Sequence, residues 1–319
     1  VAPPPAPALP ATEAAFDRLA AANPAVTMTV RRDGRVVAAR AGGVTIDGAS
    51  ATSSSPMVVA SVSKLLTALT VARLDAVGLL DIDGPVPWLV IGLPTHPAWD
   101  TVTVRELLHH TSGMPALRRE WFRPEGDCRS FLPTIVDEPP RDHRGEWTYS
   151  NGNYCSLGLL IEAIVGRPLD LVVGAVAGAA DGAASVHLTD SGQRPGDVAY
   201  GPGVDRLDRL GGAGSLIVST DDVAAALDSV TDADRARLTW PGILVDQYGW
   251  GHTGTVDGAK ACAWVLEEGR TVVAVTIAGG TPSTGGDVCD QIVEALAADL
   301  GIRAGRPDRS PPGFPPPPA

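Results

Sequence analysis

Residues 57–69 read Met57-Val58-Val59-Ala60-Ser61-Val62-Ser63-Lys64-Leu65-Leu66-Thr67-Ala68-Leu69. A short β-type run passes at Ser61 into apolar spacing of helical period, so Ser61 is predicted at or near a helix N-terminus. Lys64 is three residues on, hence on the same face and one turn away. That geometry suits a nucleophile. A helix N-terminus presents backbone N–H groups and partial positive charge to a developing oxyanion. The amine lies within reach of the hydroxyl proton, as in Ser-Lys catalytic pairs. The plainer reading is a capping serine followed by a solvated lysine. Composition weighs against it: of 25 Lys+Arg only Lys64 and Lys260 are lysines. Arginine does nearly all the cationic work in this chain, so a lysine one turn from a serine stands out.

Working outward, Val58–Val77, Val104–His110, Tyr154–Val165, Leu169–Ala177 and Thr220–Leu227 carry helical periodicity, joined by Gly/Pro/Asp connections. The ends of the chain read differently. Thr12–Ala22 has helical spacing with Thr12 as its expected N-cap. Two β-type runs follow, Val26–Arg32 and Arg35–Arg40, joined by Asp33-Gly34, the strongest short hairpin signal. A second hairpin, Lys260–Leu266 and Thr271–Ile277 around residues 267–270, precedes a helix expected over Asp287–Leu300. Strands at both ends with helices between predict an α/β (α+β) fold. Hairpins from the two termini complete one antiparallel sheet flanked by terminal helices, with an all-helical region inserted. The expected division is a sheet domain over 12–80 and 211–302 and a helical domain over 81–210. Pro-rich segments at 1–11 and 303–319 flank them, holding 12 of the 28 prolines.

Composition bounds the function. The 319 residues are 44% hydrophobic and 19% charged, enough for a sizeable core. No apolar run reaches the roughly 18 residues of a membrane helix. A net charge of −12 without a basic cluster argues against nucleic acid as a partner. The chain opens Val-Ala-Pro-Pro-Pro without a Met, as expected of a processed, secreted or cell-envelope protein. Its four cysteines, 128, 155, 262 and 289, lack the C-x-x-C spacing of a zinc or redox site. They are either buried thiols or two disulfides, and an exported chain favours disulfides. Cys128–Cys155 and Cys262–Cys289 close the shortest loops.

Two further segments carry chemistry. Trp147-Thr148-Tyr149-Ser150-Asn151-Gly152 is a turn leading into a helix. Gly251-His252-Thr253-Gly254-Thr255 holds small residues that let a backbone edge approach an extended ligand. S-x-x-K at 61–64, Y-x-N at 149–151 and H-T-G at 252–254 occur in the order and at the broad spacing of the serine β-lactamases and penicillin-binding proteins. Y-S-N in place of S-D-N resembles the class C branch, which includes low-molecular-weight D,D-peptidases, D-aminopeptidases and family VIII esterases. The stretches GLLDIDGPVPWLV (78–90), TVRELLHHTSGMP (103–115), WTYSNGNYCSLGLLIEAIVGRPL (147–169) and GGAGSLIVSTDDVA (211–224) resemble the same branch. GHTGTV (251–256) resembles the form found in secreted actinomycete D-Ala-D-Ala carboxypeptidases, with His for the usual Lys.

The resemblance implies a fold of the β-lactamase/transpeptidase type and a role for each matching residue. Ser61 Oγ attacks a carbonyl to form an acyl-enzyme, its proton going to Lys64 or Tyr149, a coupled pair. Tyr149 donates to the leaving group. Asn151 holds the substrate amide and orients Lys64. The N–H groups of Ser61 and Thr255, the latter beside Gly254, form the oxyanion hole. Thr253 and Thr255 receive a substrate carboxylate, and His252 stands where a fixed ammonium is usual. As a group titrating near neutrality it could assist as a cation. Gly242–Gly251 holds no arginine to pair with a terminal carboxylate. No metal or cofactor is expected. The implied function is that of a serine hydrolase acting as a monomer on a small peptide, ester or β-lactam substrate, with peptidoglycan as the polymer behind it. A D-alanyl-D-alanine carboxypeptidase comes first, then a carboxylesterase, a β-lactamase, and a catalytically silent cell-wall-binding relative. His109-His110 is expected to cap or pack, Asp81-x-Asp83-Gly84 to form a turn, and Ser63 to face away from Ser61.

Overall fold

The structure, a computed structural model, describes residues 6–116, 127–178, 185–189, 192–200, 210–238, 244–245, 247–279 and 285–303. Residues 1–5 and 304–319 of the Pro-rich segments lie outside the described residues.

Helix α1 (Pro10–Ala22) leads into β1 (Ala25–Arg32) and β2 (Arg35–Gly42). Asp33 and Gly34 between them sit at φ +49° and +78°, as the predicted tight turn requires. The chain continues through β3 (Met57–Val58), a single 3-10 turn at Ala60–Val62, and α2 (Ser63–Ala76). Then come α3 (Val104–Leu108), α4 (Cys128–Val136), α5 (Asn151–Val165), α6 (Leu169–Ala177) and the two-residue strand β4 (His187–Leu188). After β5 (Leu216–Val218), α7 (Thr220–Asp228) and α8 (Asp232–Leu238) comes the second sheet portion. It comprises β6 (Leu244–Val245), β7 (Gly249–Val256), β8 (Ala259–Leu266), β9 (Thr271–Ala278) and the closing helix α9 (Gly285–Leu300). The main sheet has the order β2-β1-β9-β8-β7-β6 and is antiparallel throughout. Strands β3, β5 and β4 form a small second sheet.

Alternation along the strands sorts two cores. Val26, Met28 and Val30 of β1, Cys262, Trp264 and Leu266 of β8, and Val273, Val275 and Ile277 of β9 pack beneath α1 and α9. The opposite face of β8 carries Ala259, Ala261 and Ala263, all buried against the helical side of the molecule. Three small side chains there let the 3-10 turn before α2 come close to the sheet.

Both disulfides have the predicted pairing: Cys128–Cys155 ties α4 to α5, and Cys262–Cys289 ties β8 to α9. Among the described residues no helix is long and apolar enough to cross a membrane. Helices α4 and α8 had no sequence prediction, and Pro133 inside α4 hides its period. Asp81 forms the predicted turn, accepting from the N–H of Asp83 through Oδ1 and of Gly84 through its carbonyl.

One local expectation is corrected. Thr12 does not cap α1, which begins two residues earlier with Pro10 in its first turn and Leu9 at the cap position, offering no side-chain acceptor. The acceptor comes from the other end of the chain. Asp299 in the last turn of α9 receives the N–H groups of Ala11 (3.0 Å) and Thr12 (2.8 Å) and the Thr12 hydroxyl (2.8 Å). A carboxylate on a helix N-terminus answers both the orphan donors and the helix dipole. Asp299→Ala is expected to cost about 2 kcal/mol, read as a lower denaturation midpoint, with the rate per folded enzyme unchanged. A midpoint equal to wild type would show that the clasp contributes nothing.

Candidate active site

The predicted helix start at Ser61 is sharper than a helix N-cap. Strand β3 ends at Val58, and Ala60 then takes a positive φ of +45°. That conformation costs a non-glycine residue on the order of 1 kcal/mol. The reversal lifts Ser61, in the middle of the 3-10 turn, toward solvent, while Val62 and Ser63 are buried. Ser63 does face away, its Oγ accepting the Leu216 N–H. Lys64, the second residue of α2, is 1% exposed.

Two groups converge on Ser61 Oγ. Lys64 Nζ lies 3.2 Å away and also donates to the carbonyl of Ala213 at 2.5 Å. The Tyr149 hydroxyl donates to Oγ from 3.0 Å. Burial pushes the Lys64 amine well below its usual 10.5 and pushes the Tyr149 phenol up to about 12, the Ser61 hydrogen bond opposing the latter rise. Both shifts favour the uncharged forms, an amine beside a phenol. With the amine neutral, Oγ accepts from Tyr149, its own hydroxyl hydrogen is free to point at the Nζ lone pair, and the remaining amine hydrogens serve Ala213.

Tyr149 stands just before α5, and Asn151 is that helix's first residue, with Ser150 as its N-cap accepting from the Gly152 N–H. Asn151 is 5% exposed, and its Oδ1 is buried with no partner among the described residues. No hydrogen bond joins Asn151 to Lys64 among the described residues; the Ala213 carbonyl takes the orienting part expected of Asn151. Strand β7 brings His252, Thr253, Gly254 and Thr255 alongside. Gly254 packs on the turn itself: a Cβ there would stand 2.4 Å from the Val59 carbonyl oxygen and 3.1 Å from Ala60 Cβ. The neighbouring edge of β7 is partly covered, because β6 pairs with Trp250 and Gly251. Any extended ligand has only the stretch from His252 onward.

His252 differs from its sequence expectation. Its Nδ1 is 2.5 Å from the Thr253 carbonyl, which can only accept, so Nδ1 carries the hydrogen, and buried Nε2 has no partner among the described residues. Burial foremost, then the neighbouring Lys64, lowers its pKa from 6.5 to about 3, with the Thr253 bond opposing. Burial therefore favours the neutral ring over an imidazolium standing in for the usual ammonium. The pH profile of kcat/KM for His252→Gln is expected to keep the wild-type shape between pH 5 and 10. In both proteins a single acid limb reports Lys64, and the alkaline limb awaits Tyr149 near 12. A limb near pH 6–7 that disappears in the variant would restore the cationic histidine.

His110 is a site residue that spacing alone missed. It is 1% exposed, with its ring centroid 4.7 Å from that of Tyr149. The only sequence signal was its place in the stretch 103–115. Among the described residues no cluster of three or more His, Cys, Asp or Glu is placed to hold a metal.

Comparison with known proteins gives this geometry a family. The chain matches the Beta-lactamase family over residues 12–298 and belongs to it, in the class C-like part of the β-lactamase and penicillin-binding protein superfamily. It is 33% identical over 121 residues to penicillin-binding protein 4* of Bacillus subtilis (strain 168), covering 34% of this chain and only 25% of that protein. Among solved structures, SurE with D-Leu superposes with a TM-score of 0.72 at 24% identity, covering 93% of this chain and 76% of SurE. A D-stereospecific amidohydrolase from Streptomyces sp. gives 0.69 at 22%, covering 91% and 98%. These likenesses establish the β-lactamase/transpeptidase-like fold.

Proposed function

We propose that the protein cleaves D-alanyl peptides in the manner of a D-alanyl-D-alanine carboxypeptidase, with Ser61 as nucleophile and the neutral amine of Lys64 as general base. The observation that carries this reading is the convergence of Lys64 Nζ and the Tyr149 hydroxyl on Ser61 Oγ. Lys64 takes the Ser61 proton as Oγ bonds the carbonyl carbon. The oxyanion that forms is received by the N–H groups of Ser61 and Thr255, each such donor being worth about 3–4 kcal/mol. Tyr149 gives its hydroxyl hydrogen to the departing nitrogen and recovers one from the Lys64 ammonium. The C–N bond breaks, leaving an acyl-Ser61, and water repeats the sequence in the free amine's place. The unpartnered Asn151 Oδ1 is an acceptor for the substrate's amide N–H. In this reading Ser61 and the 252–255 strand come from a sheet domain (12–80 and 211–302) and Tyr149 from a helical domain (81–210), with the cleft between them. Two disulfides favour action in an oxidising, extracytoplasmic compartment. Preference for the D-configuration is supported by the character of the structural relatives, one a D-stereospecific amidohydrolase and one solved with D-Leu.

A second reading is favoured by the neutral state of His252. Without an ammonium on β7, a substrate's terminal carboxylate would rely on Thr253 and Thr255. An amide or ester lacking that carboxylate loses nothing there. The test presents a D-Ala-D-Ala peptide, a D-amino acid amide, a p-nitrophenyl ester and a fluorescent penicillin, each beside Ser61→Ala. Ser61-dependent D-Ala release with a penicillin adduct supports the carboxypeptidase. Turnover of amide or ester alone moves the assignment to the second reading, and activity surviving in Ser61→Ala overturns both.

A further inference from the structure

We propose that His110, which touches no reacting atom, is the positioning residue of the Tyr149–Asn151 turn, acting through its Nδ1 as a shared acceptor. The inference rests on Tyr149 and Ser61 having the roles assigned above.

The hydrogen assignments follow from the partners alone. Ser112 Oγ accepts from the Met114 N–H (3.1 Å) and donates its own hydrogen to Asn153 Oδ1 at 2.6 Å. That fixes the Asn153 amide, whose nitrogen faces His110 Nδ1 at 3.0 Å and can only donate. The backbone N–H of Ser150 donates to the same Nδ1 from 3.2 Å. With two donors aimed at it, Nδ1 carries no hydrogen, and the ring's single hydrogen is on Nε2, which is buried without a partner among the described residues. One lone pair thus ties down the peptide unit between Tyr149 and Ser150, while the His110 carbonyl accepts from the Thr148 N–H at 2.8 Å on the other side of Tyr149. Tyr149 is held on both flanks by one residue, and its ring rests on the same imidazole.

His110 is built for this at some cost. Its φ is +55°, a left-handed conformation disfavoured for a side-chain-bearing residue. The groups facing its ring are Tyr149, Tyr154 and Trp147, with Lys64, His252 and His109 as the titratable neighbours. None is a carboxylate, so the surroundings disfavour an imidazolium that would lose both donors.

Two substitutions separate acceptor from bulk. His110→Asn places a carbonyl oxygen near the position of Nδ1, and asparagine tolerates positive φ. His110→Gly removes the acceptor with no backbone strain. Acylation by the fluorescent penicillin is measured with kcat and KM on the best substrate, per folded enzyme, with Ser61→Ala alongside. Misplacement by about 1 Å costs on the order of 10²-fold. His110→Gly should therefore lose about that factor in kcat, with KM within a few-fold of wild type, while His110→Asn recovers most of it. Should the glycine variant fail to fold, Asn153→Ala leaves the ring but removes one of its donors, and a kcat loss of about 10-fold at unchanged KM is expected. Full kcat in His110→Gly or Asn153→Ala, or an asparagine variant no better than glycine, overturns the proposal. Loss of labelling in Ser61→Ala, with full rate in the His110 variants, would defeat this inference alone. Retained labelling in Ser61→Ala would instead defeat the reading beneath it.

Discussion

Lys64→Arg is expected to lose acylation by about 10³- to 10⁴-fold, although it is the change usually counted as conservative for a lysine. A guanidinium stays protonated throughout the working pH range, so it cannot take the Ser61 proton. Lys64 is buried between Ser61 Oγ and the Ala213 carbonyl, and desolvation already holds its amine well below the ordinary lysine range. Arginine also overfills the space, so Lys64→Met is the companion: similar length, no amine, no added bulk. Equal loss in both variants isolates proton transfer as the missing function. A methionine variant with near wild-type acylation would remove Lys64 from the mechanism and leave Tyr149 as the only candidate base.

The same lysine has a stability signature. Between its lowered folded value and the ordinary value of about 10.4, the unfolded chain holds a proton that the folded protein lacks. Stability contributed by this group therefore rises with pH through that window and levels off above it. In Lys64→Met that segment of the curve is expected to be flat, measured by denaturant unfolding at several pH values. The variant should be no less stable than wild type at neutral pH, because a buried polar group has been exchanged for an apolar one. A buried base of this kind trades folding free energy for reactivity.

The parts of the molecule legible in the sequence are those decided by neighbours in the chain. Asp33-Gly34 forces a tight turn whatever surrounds it, and S-x-x-K puts an amine one turn from a hydroxyl on any helical backbone. The meeting of Tyr149 with Ser61, and of the Tyr149 ring with His252, was legible only through the order of three motifs, because no local period encodes a contact across 88 residues. The charge state of His252 was not legible at all. Its 3% exposure and its place beside Lys64 are products of packing, and both work against the cation expected of an unperturbed imidazole. Asp299 capping α1 was hidden for the same reason, lying 287 residues from Thr12. His110 was read as a helix-end residue, as its sequence neighbours suggest, yet its side chain serves a turn 40 residues further on.

Gly254→Ala is expected to cost about 10²- to 10³-fold in acylation rate from a single methyl group aimed at the turn that carries Ser61. The glycine is not there for backbone freedom, since its φ is not in the left-handed region. What matters is distance. An added Cβ lies 2.4 Å from the Val59 carbonyl oxygen, 3.1 Å from Ala60 Cβ and 3.3 Å from Ala261 Cβ. The nearest of these is backbone, pinned by the Val59 N–H bond to the Leu216 carbonyl and by the Val62 N–H bond back to Val59 itself. Relief must come from separating β7 and the 3-10 turn. The N–H groups of Ser61 and Thr255 lie on opposite sides of that seam, so parting it widens the proposed oxyanion hole while leaving Lys64 and Tyr149 in place. Overpacking should lower stability by about 1–3 kcal/mol, yet the variant is expected to fold, with both disulfides formed. The discriminating measurement is the pH profile of acylation. If β7 only positions the oxyanion donors, the rate falls uniformly and the Lys64 acid limb stays where it was. A displaced limb would mean that the turn carrying Ser61 had moved relative to Lys64, placing the damage in the proton-transfer pair and not in the oxyanion hole.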